Sequence, residues 1–257
     1  MPTSYFKQIP LIIELALKLN PVSILDIGIG FGKWGFLFRE YLDINSFLFK
    51  ESPAYDPEGY RNKNYIYKDK ENWKRTIDGI EVAAEYVGTI QNLIYNKIFI
   101  GNIEEIADSL NTYDLIICGD IIEHIEKEKG KGLVKKLYQK SNDAIIIATP
   151  AYFIPQGSIF DNIHESHKSF WIESDFKEYK FTQFYYRSGM LIAVLLKHRR
   201  ERLIKGEGIM TGFAYKLYGM IENRAIMRFG VEHYENSFLV KIIKRGKKIF
   251  EKIPFQA

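Results

Sequence analysis

The 257-residue chain reads as an α/β protein: a doubly wound, mostly parallel seven-stranded sheet with an antiparallel final hairpin, followed by a C-terminal helical extension. Three observations predict this. Five short apolar runs alternate with helical segments, as in a parallel sheet covered on both faces. Two β-rich runs on either side of "RSG" are too close in sequence to pair any way but antiparallel. Four glycines fall within eight positions directly after the first apolar run, where bare backbone must turn or approach something closely.

The elements follow in order. Residues 11–19 form a helix, with Pro21 as punctuation. "VSILDI" is the first strand. After the glycines, Trp34, Leu37, Phe38, Tyr41 and Leu42 fall on one helical face. Residues 43–76 hold two prolines, many polar residues and no sustained period, and read as an insertion or long loop. "IDGIEV" is the second strand, and "AAEYVGTIQNLI" a helix with Val87, Ile90 and Ile94 on one side. "KIFIG" is the third strand, and Asn102 caps a short helix with Glu105 as its box partner. "YDLIICGD" is the fourth strand, "EKGKGLVKKLYQK" a surface helix, and "DAIIIATP" the fifth strand. "FTQFYY" and "MLIAVLLK" make the hairpin. The division expected is a domain over 1–198, carrying the insertion at about 43–76, and a basic, helical extension over 199–257.

Composition bounds the class. Hydrophobic content of 46% with 26% charge is that of a globular protein, and the 15% aromatic content suits a Phe- and Tyr-rich core. The single cysteine, Cys118, excludes an internal disulfide and suits a reducing compartment. No secretory signal is visible, and the longest clean apolar run, "MLIAVLL", is too short to span a bilayer. The expected location is cytoplasmic. From Lys197 onward there are 14 Lys and Arg against 6 Asp and Glu, while the rest of the chain is mildly acidic. Such a tail is either simply solvated or binds nucleic acid or an anionic membrane surface. Ile242, Ile243, Ile249, Phe250 and Ile253 offer the apolar face that membrane contact needs.

Three ligand loops compete for the glycine run. A phosphate-binding P-loop needs a hydroxyl after Gly-Lys, and Trp34 stands there. A dinucleotide fingerprint needs its third glycine at position 33, which is Lys33. The form G-x-G-x-G preceded by an acid fits "LDIGIGFG", with Asp26, Gly28, Gly30 and Gly32. This resembles the first motif of class I S-adenosylmethionine-dependent methyltransferases, whose fold is Rossmann-like. The resemblance covers about residues 20–198. It implies S-adenosylmethionine as cofactor, held at the glycine loop. Asp26 would meet its ammonium group directly or through water. It also implies an acid after the second strand for the ribose hydroxyls, which Glu81 supplies; Asp78, at the strand start, reads as solvated. Near the adenine it implies Asn102 and Ile103, although Asn102 also reads as a plain helix cap. Asp120, at the carboxyl end of the fourth strand, matches the fourth motif and stands where open α/β sheets place ligands.

On the acceptor side, His124 follows Glu123 as in many small-molecule methyltransferases, with a structural histidine as the other reading. "ATPA" after the fifth strand departs from the "NPPY" type that methylates amino groups of DNA bases or glutamine. The segment after it resembles N-x-x-E-x-H-x-S-x-W of a group of bacterial and archaeal methyltransferases, with Asn162, Glu165, His167, Ser169 and Trp171 in those positions. His164 and His167 are too close together for H-E-x-x-H, so no metal is expected from "HESH". His167 and His124 are the catalytic candidates, His167 as general base toward a hydroxyl. Glu165, Trp171 and His164 are the candidates for substrate contact. The other reading is that this segment only fastens a loop. The function expected is methyl transfer to an oxygen or nitrogen of a small-molecule or glycan-type acceptor. The alternative is a non-catalytic cofactor-binding module whose tail binds an anionic membrane surface or nucleic acid.

Overall fold

Seven strands form one sheet in the order β3-β2-β1-β4-β5-β7-β6. They are β1 (Ser23–Ile27), β2 (Thr76–Glu81), β3 (Lys97–Ile100), β4 (Tyr113–Gly119), β5 (Ser141–Pro150), β6 (Phe181–Arg187) and β7 (Met190–Leu196). The first five are mutually parallel, and β7 runs antiparallel between β5 and β6. The structure is a computed structural model that describes residues 6–44, 70, 73–152, 154, 156, 157, 163–187 and 189–204. Most of the expected insertion, Asn162 and the tail beyond 204 lie outside the described residues, and with them the tail's expected partners. No helix among the described residues is long and apolar enough to cross a membrane.

The central strands are apolar on both faces because both faces are covered. Leu115 and Ile117 of β4, Ala144, Ile146 and Ala148 of β5, and Ile192, Val194 and Leu196 of β7 join one core. Helix α1 (Ile9–Leu19) covers that face with Leu11, Ile12, Leu15 and Leu19, and α2 (Lys33–Phe38) with Trp34 and Phe38. The alternate residues Ile116, Cys118, Ile145, Ile147, Leu191, Ala193 and Leu195 join the second core. There α5 (Lys127–Lys140) contributes Leu133, Val134 and Leu137, and the segment before β6 contributes Trp171 and Phe176.

Three local expectations change. The single helix over 83–94 is a 3-10 turn at Ala84–Tyr86 followed by α3 (Thr89–Ile94). Gly88 between them is extended, with φ −132° and ψ −159°, so the two pieces do not share one face and Ile90 is 65% exposed. After α2 the chain continues as a π-helical stretch, Arg39–Ile44, and Tyr41 turns outward while Phe38 and Leu42 stay buried. Asp78 is not solvated: it is buried and accepts a hydrogen bond from the Tyr113 hydroxyl at 2.8 Å. Contacts with the sheet continue through residues 200–204. Ile204 is buried, its N–H donates to the Tyr185 hydroxyl, and Arg200 pairs with Asp143 at 2.6 Å.

Candidate functional site

The strand order reverses its direction of growth between β1 and β4, so the loops leaving their carboxyl ends diverge there into a crevice. The loop after β1 passes through Gly28, Gly30 and Gly32 with φ of 73°, 48° and 81°, values that L side chains rarely adopt. A Cβ on Gly28 would also lie 2.1 Å from Ile121 Cδ1, so this loop packs directly on the loop after β4. The backbone N–H groups of Gly28 and Ile29 both donate to the Ile80 carbonyl, at 2.9 and 3.1 Å. Gly30 N–H donates to Glu81 Oε2 at 2.8 Å, and Gln91 Nε2 donates to the Gly30 carbonyl at 2.9 Å. Glu81 closes β2, is 5% exposed, and accepts from Ala83 N–H through Oε1 at 3.0 Å. Each carboxylate oxygen has two acceptor positions, so one on each remains for a ligand diol.

Asp26 lies beneath this loop and is fully buried. Its Oδ2 accepts from the Tyr95 hydroxyl at 2.6 Å, and that hydroxyl in turn accepts from Gly35 N–H at 3.2 Å. Its Oδ1 is buried and has no hydrogen-bond partner among the described residues. Burial pushes the Asp26 carboxyl from 3.8 up to about 7, against the opposing effect of the Tyr95 hydrogen bond and with a further push from the Glu81 charge. Between those two values folded Asp26 keeps a proton that the unfolded chain has released. Its contribution to stability therefore falls as pH rises through that window and is level above it. Asp26→Asn is expected to gain stability relative to the native chain from pH 4 to 7 in denaturant titrations. A pH-independent difference would refute that assignment.

Asp120, just past β4, adopts φ 56°, and its Oδ2 accepts from Gln8 Nε2 at 2.8 Å. Gln8 is fully buried, and its Oε1 is a second buried acceptor without a partner among the described residues. Lys33 at the start of α2 is close enough for the Asp120 charge to oppose the lowering that burial imposes on its ammonium. Asn102 caps α4 (Ile103–Ile106), its side chain accepting from Glu104 N–H at 3.0 Å, and Ile103 is buried. The side-chain cap bond goes to Glu104 N–H, one residue before the Glu105 position on which the expected capping box turns.

The segment after β5 crosses the end of β4. Its Lys168 and Ser169 N–H groups donate to the Glu123 carbonyl at 2.7 and 3.0 Å, and Ser169 Oγ donates to the Ile122 carbonyl at 3.0 Å. This brings His167 against His124, with ring centroids 4.8 Å apart. His124 Nδ1 lies 3.2 Å from the Ser166 carbonyl, and His167 Nδ1 lies 2.6 Å from the Ile154 carbonyl. A carbonyl only accepts, so each Nδ1 carries the hydrogen and each Nε2 keeps a lone pair. Burial, and then the neighbouring His167, push His124 down to about 4; burial also lowers His167. Glu123 is 2% exposed, accepts from Thr149 Oγ1 at 3.1 Å, and is pushed up by burial and by the Asp120 charge.

The sequence-predicted residues thus divide. Gly28, Gly30, Gly32 and Glu81 meet in one hydrogen-bonded unit, and His124 and His167 meet in a second. His164 is exposed and Glu165 half-buried. Trp171, expected to touch an acceptor, is 1% exposed: its Nε1 donates to the Ile122 carbonyl and to Ser169 Oγ, and its ring stacks on Phe176. The structure places it in the core, fastening the segment that carries His167. Sequence reasoning missed Glu123 as a partner of the two histidines, and it missed Gln8 and Tyr95. The "EH" pair signalled Glu123; nothing local signals the others, which meet Asp120 and Asp26 from 112 and 69 positions away.

No family profile and no curated protein matches this chain. Solved structures do match. A protein assigned as an O-methyltransferase from Nostoc punctiforme PCC 73102 is 15% identical, with TM-score 0.47 over 73% of this chain and 55% of that one. This chain therefore spans about half the length of that neighbour. An O-methyltransferase family protein from Burkholderia thailandensis is 10% identical, with TM-score 0.47 over 76% of this chain and 57% of that one. Magnesium protoporphyrin IX methyltransferase from Synechocystis PCC 6803, crystallised with bound S-adenosylmethionine, is 16% identical, with TM-score 0.39 over 73% and 78%. With these three scores below 0.5, the fold assignment rests on the strand order and register given above.

Proposed function

We propose that this chain binds S-adenosylmethionine and transfers its methyl group to an oxygen or nitrogen of a small-molecule or glycan-type acceptor. The observation that carries the reading is Glu81 at the end of β2, its carboxylate fixed against the Gly28–Gly32 turn by Gly30 N–H. A carboxylate held there has acceptor positions for both hydroxyls of a ribose. The bare glycine backbone admits a ligand at close range. Asp26 Oδ1 and Gln8 Oε1, buried acceptors without partners among the described residues, suit the donors of an ammonium group, directly or through a water. Asn102 and Ile103 stand after β3, where the resemblance assigns the adenine, and Asp120 stands at the end of β4.

When bound, the cofactor supplies a methyl group already activated on a sulfonium sulfur, so the protein's part is to position and desolvate the partners. His167 and His124 present Nε2 lone pairs on the acceptor side. In this reading the Nε2 of His167 takes the proton of a hydroxyl acceptor as the methyl group is transferred.

Label transfer tests it. Methyl-labelled S-adenosylmethionine, offered with panels of sugars, lipid-linked glycans, phenols and small acids, should label an acceptor class above background. His167→Ala should lower that turnover by about 10²–10⁴-fold. The dissociation constant for S-adenosylhomocysteine should hardly change. Equal loss of cofactor binding would remove His167 from the acceptor side.

A further inference from the structure

Glu123, His124 and His167 bring one carboxylate oxygen and one nitrogen from each imidazole within 4.8 Å of one another. Two of them come from the 3-10 turn Ile122–His124 after β4 and the third from the segment after β5, so the cluster is made by the fold and not by a local motif. Each member is held from behind. Thr149 Oγ1 donates to Glu123 Oε2, and the Nδ1 atoms of His124 and His167 donate to the carbonyls of Ser166 and Ile154. Imidazoles tethered this way through one nitrogen present the other as a fixed lone pair, which is how proteins orient metal-binding histidines. The two halves are also latched together, through Lys168 and Ser169 N–H on the Glu123 carbonyl and through Trp171 Nε1 on the Ile122 carbonyl.

We propose that Glu123, His124 and His167 form a binding site for one divalent transition-metal ion. Three convergent ligand groups, with the Glu123 carboxylate held ionised by the bound cation, are what such an ion requires. Two imidazole nitrogens with one carboxylate favour Mn²⁺, Fe²⁺, Co²⁺ or Zn²⁺ over Ca²⁺ and Mg²⁺, which prefer oxygen throughout. Ligand atoms about 2.0–2.2 Å from a common ion lie roughly 3–4 Å apart, so side-chain rotations of the order of 1 Å would close the site. Three protein ligands leave positions open to solvent or to an acceptor oxygen. This deepens the methyl-transfer reading: the ion would hold the nucleophile beside the methyl donor. It also takes up the His167 lone pair to which that reading gives the proton, so the experiment must separate the two roles.

The test uses the full chain, stripped with EDTA and dialysed into metal-free buffer. Mn²⁺ is titrated in, and the free ion is followed by its electron paramagnetic resonance signal. The expected result is one Mn²⁺ per chain, with binding weakened at least about 100-fold in both Glu123→Gln and His167→Ala, and unchanged in His164→Ala. Co²⁺ bound to the native chain should show a d–d absorption spectrum of nitrogen and oxygen ligation, a readout that does not depend on the variants folding. Absence of Mn²⁺ binding at millimolar concentration, or equal binding in the native chain and both cluster variants, overturns the proposal. S-adenosylhomocysteine binding is measured in parallel. Metal binding without it sinks methyl transfer alone, and the reverse result sinks the metal site alone.

Discussion

Glu81→Ala is expected to weaken S-adenosylhomocysteine binding by at least about 100-fold, because hydrogen bonds to a charged group contribute about 1.5–3 kcal/mol each and the ribose makes two. The same change strips Gly30 N–H and Ala83 N–H of their acceptor, so the glycine turn loses its tie to β2. Part of the loss is therefore disorder of the cradle and part is missing ligand contact. Glu81→Gln separates them. The amide oxygen can still accept from one backbone N–H, while its NH₂ group presents donors where an acceptor is needed. Glu81→Gln should keep most of the thermal stability and still lose most of the affinity. Calorimetry beside a thermal melt reads both quantities. Native-like affinity in either variant would remove Glu81 from the ligand site.

The largest expected effect on stability is at Trp171. Its side chain is 1% exposed and stacks on Phe176 with ring centroids 5.6 Å apart. It lies so close to α5 that a Cβ on Gly130 would come within 2.6 Å of the ring. Trp171→Ala should cost about 3–5 kcal/mol, as expected for removing a large buried aromatic side chain. Trp171→Phe retains most of the volume but leaves the Ile122 carbonyl and Ser169 Oγ without the indole donor, and should cost about 1–3 kcal/mol. Because Trp171 fastens the segment bearing His167, the Phe variant should lower methyl transfer while binding S-adenosylhomocysteine normally. Urea denaturation with a parallel binding measurement checks both statements. A loss below 1 kcal/mol for the Ala variant would contradict the packing described.

Much of this was legible in the sequence, for physical reasons. Buried parallel strands must be apolar on both faces, so "VSILDI", "YDLIICGD" and "DAIIIATP" stand out from their surroundings. The glycines were legible because their φ values admit few other residues. The misreadings have causes just as specific. Asp78 looked solvated because the hydroxyl that satisfies it, on Tyr113, is 35 positions away. The helix over 83–94 looked continuous because the extended backbone of Gly88 leaves no mark in apolar spacing. Motif position alone points Trp171 toward an acceptor. Its two hydrogen bonds and its packing on Gly130 depend on the path of the chain after β5, which spacing does not encode. The grouping of Glu123 with both histidines is tertiary in the same sense.

In the proposed function, the crevice between β1 and β4, floored by the glycine turn and flanked by Glu81, holds S-adenosylmethionine. Isothermal titration calorimetry of the full chain with S-adenosylhomocysteine tests it most directly. Saturable one-to-one binding is expected, weakened at least about 100-fold by Glu81→Ala and left intact by His164→Ala. An absence of heat from either S-adenosylhomocysteine or S-adenosylmethionine at millimolar concentration, with the chain folded, would contradict it.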